Sequence, residues 1–128
     1  MRILLDTCSF LWLASDSPRL TAKIKRAFED RTNVFYFSVS SAWEIAIKHK
    51  LGQIDLPEAP ERYIQTRIMT YDLQLIDVSL GHALRAGSLP IHHKDPFDRM
   101  IIAQAQVEGL MVATPDKAFV PYDAEIFW

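Results

Sequence analysis

The sequence predicts an α/β fold in which a mainly parallel sheet is flanked by helices on both faces. Apolar runs of strand length alternate with amphipathic stretches of helical length, and strands separated by helices require right-handed crossovers that leave them parallel. The punctuation agrees: Thr21, Ser40, Ser79 and Asp95 stand before helical stretches, Pro96 opens the longest of them and Gly109 closes it. With 128 residues, 49% of them hydrophobic, the chain suits one domain over 1–128 that buries about two thirds of the surface its unfolded form exposes.

Taken in order, Arg2–Leu5 is an apolar run ending at Asp6, as expected of a buried strand that stops at a carboxylate. Phe10–Ala14 reads as a first helical stretch. Thr21–Asp30 places Ile24, Ala27 and Phe28 at helical spacing with Lys23, Lys25 and Arg26 outside, and Thr21 as its cap. Val34–Val39, aromatic and β-branched, is a second strand that leads through Ser40 and Ser41 into a helix over Ala42–Leu51. Gly52–Pro60 is a loop, Glu61–Tyr71 an amphipathic helix, Leu73–Val78 a short strand, and Ser79 caps Leu80–Ala86. Polar His92–Asp95 precedes a helix over Pro96–Glu108, Leu110–Thr114 is again strand-length, and Glu125–Trp128 is expected as a last strand.

Bulk properties exclude several classes. The formal charge of −2 has the wrong sign for a protein that holds nucleic acid by overall charge, so such binding requires a local basic patch or a bound cation. Cys8 is the only cysteine, which rules out an internal disulfide and a zinc site built from cysteines, and leaves a buried small hydrophobe as its expected role. Asp6 interrupts the stretch a secretory signal would need, and no apolar run approaches the ~20 residues of a membrane helix, so the expected location is the cytoplasm.

Open parallel sheets place their sites at the carboxyl ends of strands, where loops and helix starts converge. Asp6 and Asp116 follow strands, Glu44 lies at the start of the helix after the second strand, and Asp98 lies in the first turn of the long helix. Asp98 shares a face with Ile101, Ile102 and Ala105, and Glu44 is in line with Ile47 and Leu51, so both should point inward. Singly, each fits a structural role: Ser41 to Glu44 reads as a capping box, and Asp95-Pro96-Phe97-Asp98 as an N-cap, a proline at N1 and an acid at N3. Convergence is what makes the case. Several carboxylates in one place repel, and a hard divalent cation, Mg2+ or Mn2+, one ion or two, resolves that repulsion and serves phosphodiester hydrolysis.

Around these acids, Asp95, Thr7 and Thr114 are candidates to orient a carboxylate or a bound water. Lys48, His93, Lys94 and Arg99 are candidates to grip a phosphate backbone beside the metal. Asp77 also ends a strand but is expected away from the crevice. Trp12, Trp43 and Trp128 fall in apolar elements and are expected in the core.

Leu4-Leu5-Asp6-Thr7, Ser40-Ser41-Ala42-Trp43-Glu44-Ile45, His93-Lys94-Asp95-Pro96-Phe97-Asp98-Arg99 and Thr114-Pro115-Asp116 together resemble a VapC-type PIN-domain toxin over essentially the whole chain. The family's four acids fall on Asp6, Glu44, Asp98 and Asp116. Two positions depart from the pattern: Cys8 stands where relatives often carry histidine, and Pro115 interrupts the threonine and aspartate pair. The resemblance implies a five-stranded parallel sheet, a Mg2+- or Mn2+-dependent endoribonuclease, a homodimer, and an inhibitory VapB-like antitoxin. The rival readings are a non-catalytic PIN-fold scaffold and an acidic α/β phosphohydrolase; the second would want an aspartate where Cys8 stands.

Overall fold

The computed structural model describes residues 1–128. Its strands are β1 (Arg2–Leu5), β2 (Val34–Ser38), β3 (Gln74–Ile76) and β4 (Met111–Ala113), all parallel, in the order β3-β2-β1-β4. Helices α1 (Thr7–Ala14), α2 (Ala22–Glu29), α3 (Val39–Lys50), α4 (Pro60–Thr70), α5 (Leu80–Ser88) and α6 (Pro96–Glu108) connect them. The chain builds outward from β1 through β2 to β3, then returns to add β4 on the other side of β1. The order therefore reverses between β1 and β4, and a crevice opens there at the carboxyl ends of the strands.

Strand alternation divides the core between the two faces of the sheet. Ile3 and Leu5 of β1, Phe35 and Phe37 of β2 and Ala113 of β4 pack with Phe10, Ile24, Ile45 and Ile64, from α1 to α4. Leu4 and Val112 point the other way and pack with Ile101, Ile102, Ala105 and Phe119 under α5 and α6. Because the period of a strand is two, the register Ile3↔Phe35 and Leu5↔Phe37 keeps each face apolar throughout.

Three boundaries differ from expectation, each for a local reason. Helix α1 begins at Thr7, before Phe10, because Asp6 itself is the cap. Helix α3 begins at Val39 because Ser38, not Ser40 or Ser41, accepts from the Ser40 N–H at 3.1 Å. Strand β3 shortens to Gln74–Ile76 at the edge of the sheet, where it has one partner.

The expected fifth strand over Glu125–Trp128 is a single parallel bridge, Val112↔Ile126, so the sheet has four strands and not five. Two hydrogen bonds through Val112 carry it, from its N–H to Glu125 O and from Phe127 N–H to its carbonyl, both 2.8 Å, and no further pairing follows. Gly109, expected as a helix stop, adopts φ +66° as the left-handed C-cap of α6. No helix is long and apolar enough to cross a membrane.

Phe37 is fully buried with its ring centroid 4.2 Å from that of Phe10. Phe37→Ala should cost about 3–5 kcal/mol of unfolding free energy, whereas Met69→Ala, at a position 81% exposed, should stay within about 0.5 kcal/mol. Urea unfolding followed by circular dichroism measures both; equal losses would contradict the core assignment.

Candidate active site

Asp6 and Asp116 reach the crevice from the turns after β1 and β4, and Glu44 and Asp98 reach it from helices α3 and α6. Asp6 leaves β1 and caps α1, its Oδ1 accepting from the Ser9 N–H at 2.7 Å. Its Oδ2 accepts from the Thr114 hydroxyl at 2.6 Å, so the residue after β4 orients the residue after β1. Asp116 caps the turn Lys117–Phe119 through Oδ1, which accepts from the Ala118 N–H at 2.9 Å. The Asp116 N–H donates to the Thr114 hydroxyl oxygen at 3.0 Å. Pro115 does not turn Asp116 away, since both line the cleft.

Glu44 lies more than one turn into α3 and is buried. Its Oε1 accepts from the Thr7 hydroxyl at 2.6 Å, and its Oε2 receives Lys48 Nζ, four residues on, at 2.6 Å. Ser41 Oγ stands 3.0 Å from Thr7 Oγ1, which ties the start of α1 to α3. The expected capping box of Ser41 and Glu44 does not form, because the helix starts earlier than Ala42.

On α6 the cap reading of Asp95 holds: its Oδ1 accepts from the N–H groups of Phe97 and Asp98 at 2.8 and 3.1 Å. Asp98, in the first turn, places Oδ2 2.7 Å from His93 Nε2, and that nitrogen is 3.9 Å from Asp116 Oδ2. Ligand atoms of His93, Asp98 and Asp116 thus lie within 4.8 Å of one another. Asp6 and Glu44 stand outside that triad but line, with Asp95, Asp98, Asp116 and Lys48, one cleft of about 310 Å³. The four acids share the cleft, and the tightest group joins two of them to a histidine beside it.

Burial pushes the Asp98 carboxyl up to about 6; the His93 hydrogen bond opposes this, and the charges of Asp95, Asp6 and Glu44 add to it. Burial also raises Asp6 above the usual carboxylate range, against the bonds from Ser9 and Thr114 and with the charge of Asp116. The hydrogen bond to Glu44 raises Lys48, which therefore stays cationic. Mutually repelling carboxylates with an imidazole nitrogen beside them form a donor set that suits a divalent cation. Carboxylate oxygens offer about four lone-pair sites per group, so the bonds that aim Asp6 and Glu44 leave each able to accept more.

The basic residues depart most from expectation. Lys48 is paired with Glu44 and His93 with Asp98. Arg99, expected at a phosphate, donates instead to the carbonyls of Pro90, His93, Ala86 and Leu89 at 2.9 to 3.2 Å. A planar guanidinium with five donors is suited to gathering carbonyls in this way. Lys94 is exposed and makes no hydrogen bond within the chain through its side chain.

Cys8, expected as a buried hydrophobe, is half-buried in the cleft wall. Burial, then the Asp6 charge, pushes its thiol up to about 11, so it is no thiolate at neutral pH. Trp43, expected in the core, is 65% exposed with its ring edge-on to Phe97, while Trp12 and Trp128 are partly buried against the core. Asp77 lies beyond the edge strand, where its carbonyl accepts from Gln104 Nε2.

The sequence model of the PIN domain matches residues 3–125. This chain belongs to the PIN-domain family. Among curated proteins, this PIN-domain chain is similar to Ribonuclease VapC16 of Mycobacterium tuberculosis, 32% identical over 79 residues. That match covers 57% of this chain and 56% of the relative, so the chain spans about half the length of the protein it matches. Among solved structures, the PIN fold is shared with VapBC2 from Rickettsia felis bound to a promoter DNA fragment, at TM-score 0.72 and 16% identity over 98% of this chain and 96% of that one. A toxin-antitoxin complex from Klebsiella pneumoniae follows at TM-score 0.67 and 22% identity, with the same coverage. At these identities the likeness shows the fold.

The raised Asp98 carboxyl sets a pH dependence. The folded chain holds that proton more tightly than the unfolded one, whose value is near 3.8, so the stabilisation is complete below pH 3.8 and is lost as pH rises through about 6. In chelator, the melting temperature of the wild type should therefore fall relative to that of Asp98→Asn between pH 4 and pH 7. A difference between the two that does not change with pH would contradict the placement of Asp98 among like charges.

Proposed function

We propose that this chain is a divalent-metal-dependent endoribonuclease of the VapC type, acting as the toxin of a toxin-antitoxin pair. One observation carries the reading: in a PIN-domain chain, Asp6, Glu44, Asp98 and Asp116 line a single cleft at the reversal of strand order, with donor atoms of two of them and His93 within 4.8 Å of one another. The similarity to a protein named as a ribonuclease supports RNA as the substrate class, and the structural likeness to toxin-antitoxin complexes supports the setting.

In this reading Asp98 and Asp116 would hold the cation, and Asp6 and Glu44 would complete its surroundings. One or two Mg2+ or Mn2+ ions held there would supply positive charge to the scissile phosphate and lower the pKa of water for in-line attack. Thr114 and the Ser9 N–H keep the Asp6 carboxylate aimed into the cleft, and Thr7 does the same for Glu44. Lys48, at the cleft wall, meets phosphate oxygens as it exchanges partners with Glu44, and exposed Lys94 follows the RNA backbone beyond. Water is the nucleophile, so the ribose hydroxyl is not consumed and the products carry a 5′ phosphate. The partners that go with this reading are a VapB-like antitoxin and a second copy of the chain.

A second reading has its own support. Lys48 pairs with Glu44 and His93 is hydrogen-bonded to Asp98, so two of the four acids already have partners within the chain, as a PIN-fold module that binds without cleaving would require.

One assay separates the two. Cleavage of single-stranded RNA should stop in excess chelator, return with Mg2+ or Mn2+, and leave 5′-phosphate ends. Asp6→Asn should abolish it and still fold, because asparagine caps α1 equally well and its amide can donate to Thr114. Cleavage that continues in chelator would exclude the metal-dependent mechanism, and absence of cleavage with either ion would favour the binding module.

A further inference from the structure

His93 was expected to contact RNA phosphate, yet its ring is placed as a ligand would be. We propose that His93 is the nitrogen ligand of the metal centre, with Asp98 and Asp116 as oxygen ligands, and that the site therefore takes a borderline transition-metal ion such as Co2+ or Zn2+ more tightly than Mg2+. The proposal rests on the reading of this cleft as a metal-dependent nuclease site and specifies which ion it prefers.

The first support is spacing. His93 Nε2 is 2.7 Å from Asp98 Oδ2 and 3.9 Å from Asp116 Oδ2. A six-coordinate ion with bonds of about 2.1 Å sets adjacent ligand atoms about 3 Å apart and opposite ones about 4.2 Å apart. The three donors fall in that range with small side-chain adjustments.

The second support is the scaffold behind the ring. The Tyr122 hydroxyl accepts from the His92 and His93 N–H groups at 3.1 and 2.7 Å and donates to Pro90 O at 2.8 Å, which uses its full capacity. Arg99 donates to His93 O and to Pro90 O from the same nitrogen. Two side chains, from α6 and from the C-terminal segment, thus fix the backbone on both sides of His93. A solvated surface histidine needs no such support, whereas a ligand must be held before its ion arrives. The oxygen ligands are prepared likewise: Asp116 is anchored through Oδ1 to the Ala118 N–H, which leaves Oδ2 toward His93.

Donor chemistry sets the preference. Mg2+ is a hard ion served by oxygen and gains little from imidazole, whereas affinity for nitrogen rises along the first-row series from Mn2+ towards Co2+ and beyond. The competing account makes His93 an internal counter-charge for Asp98, as Lys48 is for Glu44. Removing a counter-charge strengthens the binding of every dication, and removing a ligand weakens the binding of transition ions selectively.

Calorimetric titration of the full-length chain and His93→Asn with Co2+ and with Mg2+, with RNA cleavage recorded separately, decides between them. The variant should bind Co2+ more weakly by roughly tenfold or more and Mg2+ by no more than about twofold. Unchanged or tighter Co2+ binding would overturn the proposal. A melt followed by circular dichroism shows whether the variant is folded. Independently of the variant, addition of Zn2+ to the wild type should move the His93 Nε2 resonance in long-range 1H–15N spectra, and a resonance that stays in place with Zn2+ bound would also overturn it. A wild type that binds neither ion would remove the metal reading as a whole. One that binds both and cleaves RNA, with Co2+ affinity intact in the variant, would remove the role of His93 alone.

Discussion

Like charge held in a partly buried cleft is the constraint around which the rest of the chain is arranged. Asp6 and Asp98 both have carboxyls raised above their ordinary range, burial first and neighbouring carboxylates after it. Hydrogen bonds from Thr114, Ser9 and Thr7 fix the oxygens in place, Lys48 offsets the charge of Glu44, and His93 lies in hydrogen-bond contact with Asp98. The sheet order supplies the location, since only the reversal between β1 and β4 leaves an open crevice at strand ends. Both apolar faces of β1 are covered, so the site sits at the end of the most buried strand.

Structural and chemical roles coincide in these acids. Asp6, Asp95 and Asp116 each cap a helical segment through one oxygen. A cap fixes a carboxylate at a helix N-terminus with its second oxygen free to point elsewhere, and in an α/β sheet that N-terminus lies beside the strand end. Capping and a place in the cleft are consequently two uses of one geometry, and the sequence pattern that suggests the first does not argue against the second.

Most of the architecture was legible because it rests on periodicity and caps, which are local. The crossovers, the parallel sheet and the Pro96 and Gly109 boundaries of α6 follow from that grammar. The fifth strand did not form because Glu125–Trp128, apolar enough to be read as a strand, meets β4 only through Val112. The positions of Asp6, Glu44, Asp98 and Asp116 could be read from strand ends and helix turns. The partners of Lys48, His93 and Arg99 could not, because a polar side chain finds its partner in three dimensions. The i, i+4 spacing of Glu44 and Lys48 was the one available signal, whereas His93 reaches Asp98 from a loop and Arg99 serves carbonyls with no sequence mark. Trp43 was misplaced for a related reason: an apolar run does not say which of its residues faces outward.

The most direct measurement is the location of the ion itself. Crystals grown with Mn2+ and measured above and below its absorption edge should give an anomalous peak in the cleft, within bonding distance of Asp98 and Asp116 and facing Asp6. A map without a peak there, with Glu44 still on Lys48 and Asp98 still on His93, would contradict the account.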